Sequence, residues 1–254
     1  MRQDRSKYIT SPRASEAPQP LKLKEEKGFV TVVLLSENHG HRMKSYGPVS
    51  LLKVGGKSLL DKQIEAVRTI LPNSEIVLCC GFEAYRTVTF VKGRFTPDAK
   101  IRVVENQLHY NTNSCESARL CLNNIVNDKI LFCDGGVLLK PEHLAVINFK
   151  KSCVVIQDKN SNTNLEVGAI ENNSILENLS FGIKGKYWSE LFYLAGQVNI
   201  AEFYTLISNT DYKNKFLFEA INDYSKRFPV ATVKIEENLI TKIDNIKTIK
   251  GINK

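Results

Sequence analysis

A polar loop follows the first apolar run of the sequence and carries side chains that suit a phosphate. Residues 30–35 are apolar, Ser36 and Glu37 come next, and Gly40 and Arg42 follow within the same loop. Loop backbone N–H groups and a guanidinium fork both bind phosphate oxygens. We interpret the loop as a candidate phosphate site, with an ordinary turn as the alternative.

A second candidate site begins at Asp134, which follows an apolar run and precedes Gly135 and Gly136. Glycines let a ligand or another part of the backbone approach closely, and a carboxylate at a strand end is suited to hold Mg²⁺ against a phosphate. The alternative is a simple turn aspartate. Another carboxylate, Asp244, follows a short apolar stretch near the C-terminus.

The elements that must position these residues follow from the apolar pattern. Short β-branched and aliphatic runs are typical of strands that are buried on both faces of a parallel sheet. Such runs occur at residues 30–35, 76–80, 101–104, 130–133 and 153–156. Helices are predicted from Ser58, as an N-cap, to Leu71 and from Ser114 to Ile125. The alternation indicates βαβ units and an α/β fold with a mostly parallel central sheet.

The pattern becomes less regular beyond residue 159. Asn and Ser at residues 172–174 predict a hairpin turn between two short strands. The elements predicted here are strands at 166–170 and 175–179, helices at 201–208 and 217–226, and a strand at 231–235. One α/β domain at residues 28–254 is the simplest interpretation.

The 254 residues have the composition of an ordinary globular protein, with a net charge of +8. Residues 1–27 and residues 239–254 each contribute +3, so the 211 residues between them carry only +2. The proline-containing residues 1–27 are interpreted as a disordered or extended basic arm. Sequence-specific nucleic-acid binding is a weak alternative, because no recognised motif accompanies the charge.

The sequence also indicates whether the chain spans a membrane and whether its cysteines form disulfides or metal sites. No run approaches the roughly 18 apolar residues that span a bilayer, and the first residues lack the apolar stretch of a secretory signal. The six cysteines contain no C-x-x-C pair, and most lie in apolar runs where a thiol behaves as a small hydrophobe. We therefore expect no membrane span and a cytoplasmic location.

Several segments match, in order, the motifs of one enzyme family. Residues 32–43 are similar to an L-A-A-G-x-G-x-R-L loop, and residues 48–60 to a P-K-P-L-L-P-V-x-G-K-P-L-L segment. Residues 111–118 are similar to T-N-N-x-x-S, residues 133–135 to a G-D metal site and residues 243–244 to an I-D metal ligand. The chain thus resembles the sugar-1-phosphate nucleotidylyltransferases, and among them the branch with the choline-phosphate cytidylyltransferases.

The resemblance implies a single Rossmann-like three-layer nucleotidyltransferase domain that binds a nucleoside triphosphate. Gly40 and Arg42 would hold the triphosphate, with Arg42 in a catalytic role and Ser36 beside the nucleotide. Asn113 and Ser117 would lie beside the base or the sugar.

The resemblance also implies a metal site and an acceptor site. Asp134 and Asp244 would hold Mg²⁺, and Asp134 would be a catalytic residue. Lys184, with Lys186 as a second candidate, would meet the acceptor phosphate as a further catalytic residue, and a solvated loop is the alternative for both.

The sequence departs from the family pattern at three positions. Asn38 stands where the first loop glycine belongs, and Glu37 adds negative charge beside the triphosphate site. Val49 stands at the position of the P-K-P lysine, whose cation can contribute a few kcal/mol to the transition state.

Two functions follow from these observations. The first is Mg²⁺-dependent transfer of CMP or UMP from a nucleoside triphosphate to a sugar 1-phosphate or to phosphocholine, with release of pyrophosphate. The second is a catalytically impaired domain that serves as a nucleotide-binding or structural module, with its basic ends in contact with an anionic partner or a larger assembly.

Overall fold

The computed structural model of the chain describes residues 29–38, 43–159, 166–235, 240–243 and 245–252. The predicted arm at residues 1–27 lies outside these ranges. The strands are β1 Thr31–Ser36, β2 Lys53–Val54, β3 Lys57–Ser58, β4 Glu75–Cys80, β5 Ile101–Glu105, β6 Lys129–Asp134, β7 Val137–Leu138, β8 Cys153–Lys159, β9 Val167–Asn172, β10 Ile175–Phe181, β11 Gly185–Ala195, β12 Ala231–Ile235 and β13 Thr241–Lys242. The α-helices are α1 Leu59–Ile70, α2 Ala84–Arg94, α3 Ser114–Leu122, α4 Pro141–Ala145, α5 Gln197–Ile207, α6 Leu217–Ser225 and α7 Ile246–Ile252.

The described residues form one large sheet of nine strands, in the order β5-β4-β1-β6-β11-β8-β12-β10-β9. β1 is parallel to β4 and β6, and β4 is parallel to β5. β11 is antiparallel to β6 and β8, β12 is parallel to β8, and β10 is antiparallel to β12 and β9. Seven of the nine strands therefore run in one direction, and only β10 and β11 run in the other. The predicted α/β fold with a mostly parallel sheet is confirmed.

Helices cover both faces of this sheet because successive strand residues point to opposite faces. In β1, Val33 and Leu35 belong to one core with residues of α3, α5 and α6. Val32 and Leu34 belong to a second core with residues of α1, α2 and α4. The result is the three-layer arrangement that the resemblance implied.

Helix α1 forms where its sequence predicted. The Ser58 Oγ accepts a hydrogen bond from the Asp61 N–H at 3.0 Å, which satisfies one of the unpaired donors of the first turn. The helix ends at Ile70, shortly before Pro72. Its buried face includes Gln63, which reaches the candidate site described below.

The hairpin of β9 and β10 confirms the turn that the Asn and Ser cluster predicted. Ile175 pairs with Asn172, and the two residues between them, Asn173 and Ser174, have φ values of 50° and 60°. Two left-handed residues in succession give the turn whose twist matches a two-residue hairpin.

Strand β11 is the main element that the sequence pattern did not predict. The sequence predicts no strand here and gives a solvated loop as the alternative for Lys184 and Lys186, yet β11 begins at Gly185 and lies in the sheet between β6 and β8. Helix α2 was not predicted either. Helix α3 ends at Leu122 rather than at Ile125 because Asn123 leaves the helical conformation and Asn124 has a φ of 64°.

The remaining general expectations concern cysteines and membranes. All six cysteines are buried in the hydrophobic interior, as the apolar context of most of them indicated. Among the described residues, no helix combines the length and the apolar character that crossing a membrane requires.

Candidate active site

Two parallel strands deliver the central side chains of the candidate site. β1 ends at Ser36 and is followed by Glu37, while the neighbouring β6 ends at Asp134, which pairs with Leu35. The carboxyl ends of parallel strands share one edge of the sheet, which is where ligands bind in open α/β folds. The two segments singled out from the sequence therefore meet at that edge.

The turn after Asp134 is shaped by its two glycines. The Asp134 Oδ1 accepts a hydrogen bond from the Gly136 N–H, and the Gly135 N–H donates to the Leu35 carbonyl, both at 2.7 Å. A Cβ on Gly135 would collide with Ser36, and one on Gly136 would crowd the Asp134 carboxylate and the Ile243 carbonyl. The glycines thus let the turn close on β1 while one carboxylate oxygen is fixed.

Gln63 supports the same turn from the side of α1. Its fully buried Nε2 lies 3.1 Å from the carbonyl oxygen of Gly135 and 2.8 Å from that of Val137. The bond to Gly135 gives the carbonyl of the turn a partner, and the bond to Val137 ties α1 to β7 as well. The backbone around Asp134 is therefore held from both sides.

A lysine near the C-terminus completes the cluster. β13 pairs with β7, and the Ile243 N–H donates to the Gly136 carbonyl at 2.7 Å. This places the Lys242 Nζ 2.7 Å from the Glu190 Oε1 and 3.3 Å from the Asp134 Oδ2. Loss of water lowers the pKa of Lys242, but the charges of Asp134 and Glu190 outweigh this and raise it above its usual range. The side chain therefore stays protonated.

Glu190 reaches the cluster from the middle of β11. Its φ is 59°, a left-handed conformation that is rare for a residue with a Cβ, and the pairing of β11 with β8 shifts register between Trp188 and Phe192. Burial raises the pKa of Glu190. The positive charge of Lys242 opposes this rise, and the negative charge of Asp134 adds to it. The side chain is 16% exposed, and it lines the cavity described below.

Glu37 is the most deeply buried acid of the site. The residue is 2% exposed, and its Oε2 has no hydrogen-bond partner among the described residues. Burial raises the pKa of Glu37 from 4.5 to about 7, and the negative charge of Asp134 adds to the effect, against the opposing backbone N–H, Ser117 and Lys242. A carboxyl group that titrates near neutrality can donate or accept a proton there.

Helix α3 contributes the residues that were predicted to lie beside the nucleotide. Asn113 is its N-cap, and the Asn113 Oδ1 accepts a hydrogen bond from the Ser114 N–H at 2.9 Å. Asn113 also lines the cavity that is described below. Ser117 is fully buried, and its Oγ accepts a hydrogen bond from the Asn106 Nδ2 at 3.0 Å. Ser117 therefore lies behind the cavity wall, next to Glu37.

These groups surround one cavity of about 280 Å³. Part of the lining is polar, with the carboxylates and Lys242 described above. The rest of the lining is apolar and mainly aromatic. It consists of Val167, Phe181, Trp188, Phe216, Leu217 and Phe218.

Several predicted site residues are not brought to this cavity. Lys184 lies beside a separate depression with Asp158 and Glu171, and Lys186 is paired with Glu171 at 2.7 Å. Ser36 is buried against Gly135 and does not line the cavity. The roles proposed for Lys184 and Ser36 stay predictions.

Three other predicted residues, Gly40, Arg42 and Asp244, lie outside the described residues. The position of the missing family lysine is described. Val49 is buried in a small cluster with Met43 and Ile243, beside the Gly136 turn. An apolar side chain thus packs where the family pattern has a cation.

The described residues alone do not fit a resident Mg²⁺ ion. Mg²⁺ is usually bound through one or two carboxylates together with waters and substrate phosphates. Asp134 is the one predicted metal ligand among the described residues, and its Oδ1 already accepts the Gly136 N–H. The Asp134 Oδ2 faces the ammonium of Lys242 instead.

Sequence reasoning missed Lys242 and Glu190. Lys242 was counted as one of the charges of a basic C-terminal end, and Glu190 was passed over within an aromatic stretch. A usable signal was present in both cases. Lys242 directly precedes the predicted I-D segment, and Glu190 is the one charged residue within residues 187–195, the largely apolar part of β11.

Comparisons with known proteins show similarity in structure only. No protein-family profile matches the chain, and no curated protein matches it in sequence. An inositol-1-phosphate CTP transferase from T. maritima is 15% identical with a TM-score of 0.71, covering 88% of this chain and 95% of its own. A CTP:phosphocholine cytidylyltransferase from Streptococcus pneumoniae is 15% identical with a TM-score of 0.70, covering 89% and 98%.

A putative glucose-1-phosphate thymidylyltransferase from Bacillus anthracis is 13% identical with a TM-score of 0.69, covering 88% of this chain and 94% of its own. All three neighbours therefore match nearly their whole length at low identity. The chain has the fold of the sugar-1-phosphate nucleotidyltransferases and the CTP-dependent cytidylyltransferases.

Proposed function

We propose that the protein transfers CMP or UMP from a nucleoside triphosphate to a small phosphorylated acceptor and releases pyrophosphate. One observation carries this proposal: Asp134 and Asn113, each predicted separately from the sequence, line the same cavity at the carboxyl edge of β1 and β6. Ligands of open α/β sheets bind at that edge. Two structural neighbours, an inositol-1-phosphate CTP transferase and a CTP:phosphocholine cytidylyltransferase, support CTP as the nucleotide.

The chemistry proposed is an in-line displacement. A phosphate oxygen of the acceptor attacks the α-phosphorus, the bond from this phosphorus to the bridging oxygen breaks, and pyrophosphate leaves with the electron pair. Negative charge spreads over the phosphate oxygens in the transition state, and fixed positive charges stabilise it. Among the described residues, the protonated Lys242 is the cation that lines the cavity.

The aromatic part of the cavity lining supports an acceptor with a cationic, methylated head such as phosphocholine. Phe181, Phe216 and Phe218 form a cluster with ring centroids 5.1 to 5.7 Å apart. Aromatic faces attract quaternary ammonium groups. The hydroxyl groups of a sugar would instead lose water against apolar side chains that offer no hydrogen bonds.

The predicted roles of the other residues belong to the same proposal. Gly40 and Arg42 would bind the triphosphate, and Asp244 together with Asp134 would contact a Mg²⁺ ion that accompanies it. Lys184 would serve the acceptor phosphate only if the turn before β11 moves toward the cavity. None of these roles is needed for the argument from Asp134 and Asn113.

The second function, a nucleotide-binding or structural module without catalysis, is favoured by two observations. The Asp134 carboxylate is engaged by Lys242 at 3.3 Å, and Val49 is buried where the family pattern has a lysine. Such a module would bind CTP without releasing pyrophosphate.

One experiment separates the two functions. The protein is mixed with each nucleoside triphosphate and a panel of acceptors, in Mg²⁺ and in EDTA, and pyrophosphate release is recorded with an Asp134→Asn variant. Asp158→Asn is the matched control, because Asp158 is exposed and lies outside the cavity. Release that depends on Asp134 alone supports transfer. Thermal stabilisation by CTP without pyrophosphate release supports the module. If CTP gives neither stabilisation nor pyrophosphate release, both functions are contradicted.

A further inference from the structure

A positive charge lies at the point where two carboxylates of the cavity converge. The Lys242 Nζ lies 2.7 Å from the Glu190 Oε1 and 3.3 Å from the Asp134 Oδ2, and all three side chains line the cavity. The other Asp134 oxygen accepts the Gly136 N–H. Both oxygens of Asp134 therefore have a donor in the free protein. A divalent cation at Oδ2 would lie close to the ammonium and be repelled by it.

Two separate backbone features hold this charge in position. The two-residue β13 is fixed by its pairing with β7 and by the bond from the Ile243 N–H to the Gly136 carbonyl. Glu190 occupies a left-handed conformation, with a φ of 59°, at an irregularity of β11. This conformation is unfavourable for a residue with a Cβ. The fold nevertheless adopts it at the residue whose carboxylate contacts Lys242.

We propose that Lys242, held in place by Glu190, is the resident cation at Asp134 and binds ligand phosphates in place of a divalent ion bound by the protein. The inference rests on the proposed function only for the identity of the ligand, a nucleoside triphosphate. An ammonium carries three donors and binds phosphate as a point charge. Glu190 acts through Lys242 and is a positioning residue.

Loss of the Lys242 ammonium should change the affinity of the free protein for divalent cations, without any nucleotide. Removal of the ammonium leaves the carboxylates of Asp134 and Glu190 facing the same space without a counter-ion. Uncompensated carboxylates attract hard divalent cations. A Lys242→Gln variant should therefore gain a divalent site that the wild-type protein lacks.

The first test titrates Mn²⁺ alone into the protein and follows free Mn²⁺ by electron paramagnetic resonance. We expect Lys242→Gln to bind Mn²⁺ at least about tenfold more tightly than the wild type, a change of about 1.4 kcal/mol. Addition of Asp134→Asn should abolish this gain. Lys247→Gln removes the same charge from α7, outside the cavity lining, and should behave like the wild type. Equal affinity of the wild type and Lys242→Gln would overturn the proposal.

The second test measures CTP affinity by calorimetry in EDTA. The wild type should retain binding, Lys242→Arg should keep most of it, and Lys242→Gln should lose about tenfold or more. Glu190→Gln should weaken binding less than Lys242→Gln, because the cation remains but its position is looser. Binding of CTP by the wild type only when a divalent ion is added would overturn the proposal.

The two tests keep this proposal separate from the proposed function. Mn²⁺ titration of the free protein involves neither nucleotide nor turnover, so a gain in Lys242→Gln stands even if no triphosphate is bound. Conversely, if the wild type releases pyrophosphate and yet binds Mn²⁺ as tightly as Lys242→Gln does, the proposed function stays intact and the assignment of Lys242 as the resident cation is disproved. Circular dichroism melting of each variant shows whether it is folded.

Discussion

Gly135 lies so close to Ser36 that a Cβ on residue 135 would be 1.9 Å from the Ser36 Oγ and 2.7 Å from its Cα. Because a backbone atom is involved, rotation of the serine side chain alone cannot relieve the clash. The close approach of Gly135 to Ser36 joins the end of β1 to the turn after β6. It thereby helps to position the Asp134 carboxylate.

Gly135→Ala should destabilise the protein by about 2 to 3 kcal/mol, since overpacking forces β1 and the turn apart. Gly93→Ala is the matched control. Gly93 lies in α2, and a Cβ there would meet no atom within 4 Å. That substitution should stabilise the protein by about 0.5 to 1 kcal/mol. Urea unfolding measures both, and equal stability of Gly135→Ala and the wild type would contradict the packing described.

Glu37 should make stability depend on pH. The folded state raises its pKa from 4.5 to about 7, so the folded protein holds a proton that the unfolded chain has already released. Stability therefore falls as pH rises from about 4.5 to about 7 and changes no further above that range. Glu37→Gln removes this dependence and should be more stable than the wild type at pH 8 by on the order of 3 kcal/mol. Parallel stability curves for the two proteins would disprove the shift.

The left-handed backbone of Glu190 predicts a difference between two substitutions. Glu190→Gly and Glu190→Ala both remove the bond to Lys242, but only glycine adopts a φ of 59° without strain. The glycine variant should be more stable by about 1 to 2 kcal/mol. Thermal unfolding followed by circular dichroism compares them. If alanine is equally tolerated, the conformation assigned to residue 190 is wrong.

Asn113 is predicted to have two roles that substitutions can separate. Asn113→Asp retains the N-cap of α3, whereas Asn113→Ala loses it at a cost of about 1 kcal/mol. If Asn113 also contacts the nucleotide, Asn113→Asp should lower CTP affinity about tenfold without loss of stability, because it replaces a donor with a negative charge. Calorimetric titration with CTP checks this. Unchanged affinity in Asn113→Asp would remove Asn113 from the site.

Local signals explain which parts of the fold were predictable from the sequence. The start of α1 depends on Ser58 and Asp61, and the turn of the hairpin on Asn173 and Ser174. In both cases the residues that decide the conformation are neighbours in the chain. The turn after Asp134 was likewise visible from its two glycines.

The charge arrangement of the site was not predictable in this way. Lys242 and Glu190 are 52 residues apart, and their contact depends on β13, β7 and the irregular part of β11. A pattern read along the chain sees Lys242 only as one of several basic residues near the C-terminus. Along the chain, Glu190 is a charge that interrupts the apolar pattern of a strand, and β11 is therefore not predicted from the sequence.

Detection of CDP-choline as the product tests the proposed transfer of CMP. The protein is incubated with CTP and phosphocholine, and CDP-choline is measured by mass spectrometry beside the Asp134→Asn variant. We expect CDP-choline to accumulate with the wild type and pyrophosphate to form in equal amount, with neither formed by the variant. Intact CTP after long incubation with phosphocholine and every other acceptor tested, despite CTP binding, would show that the protein does not catalyse this transfer.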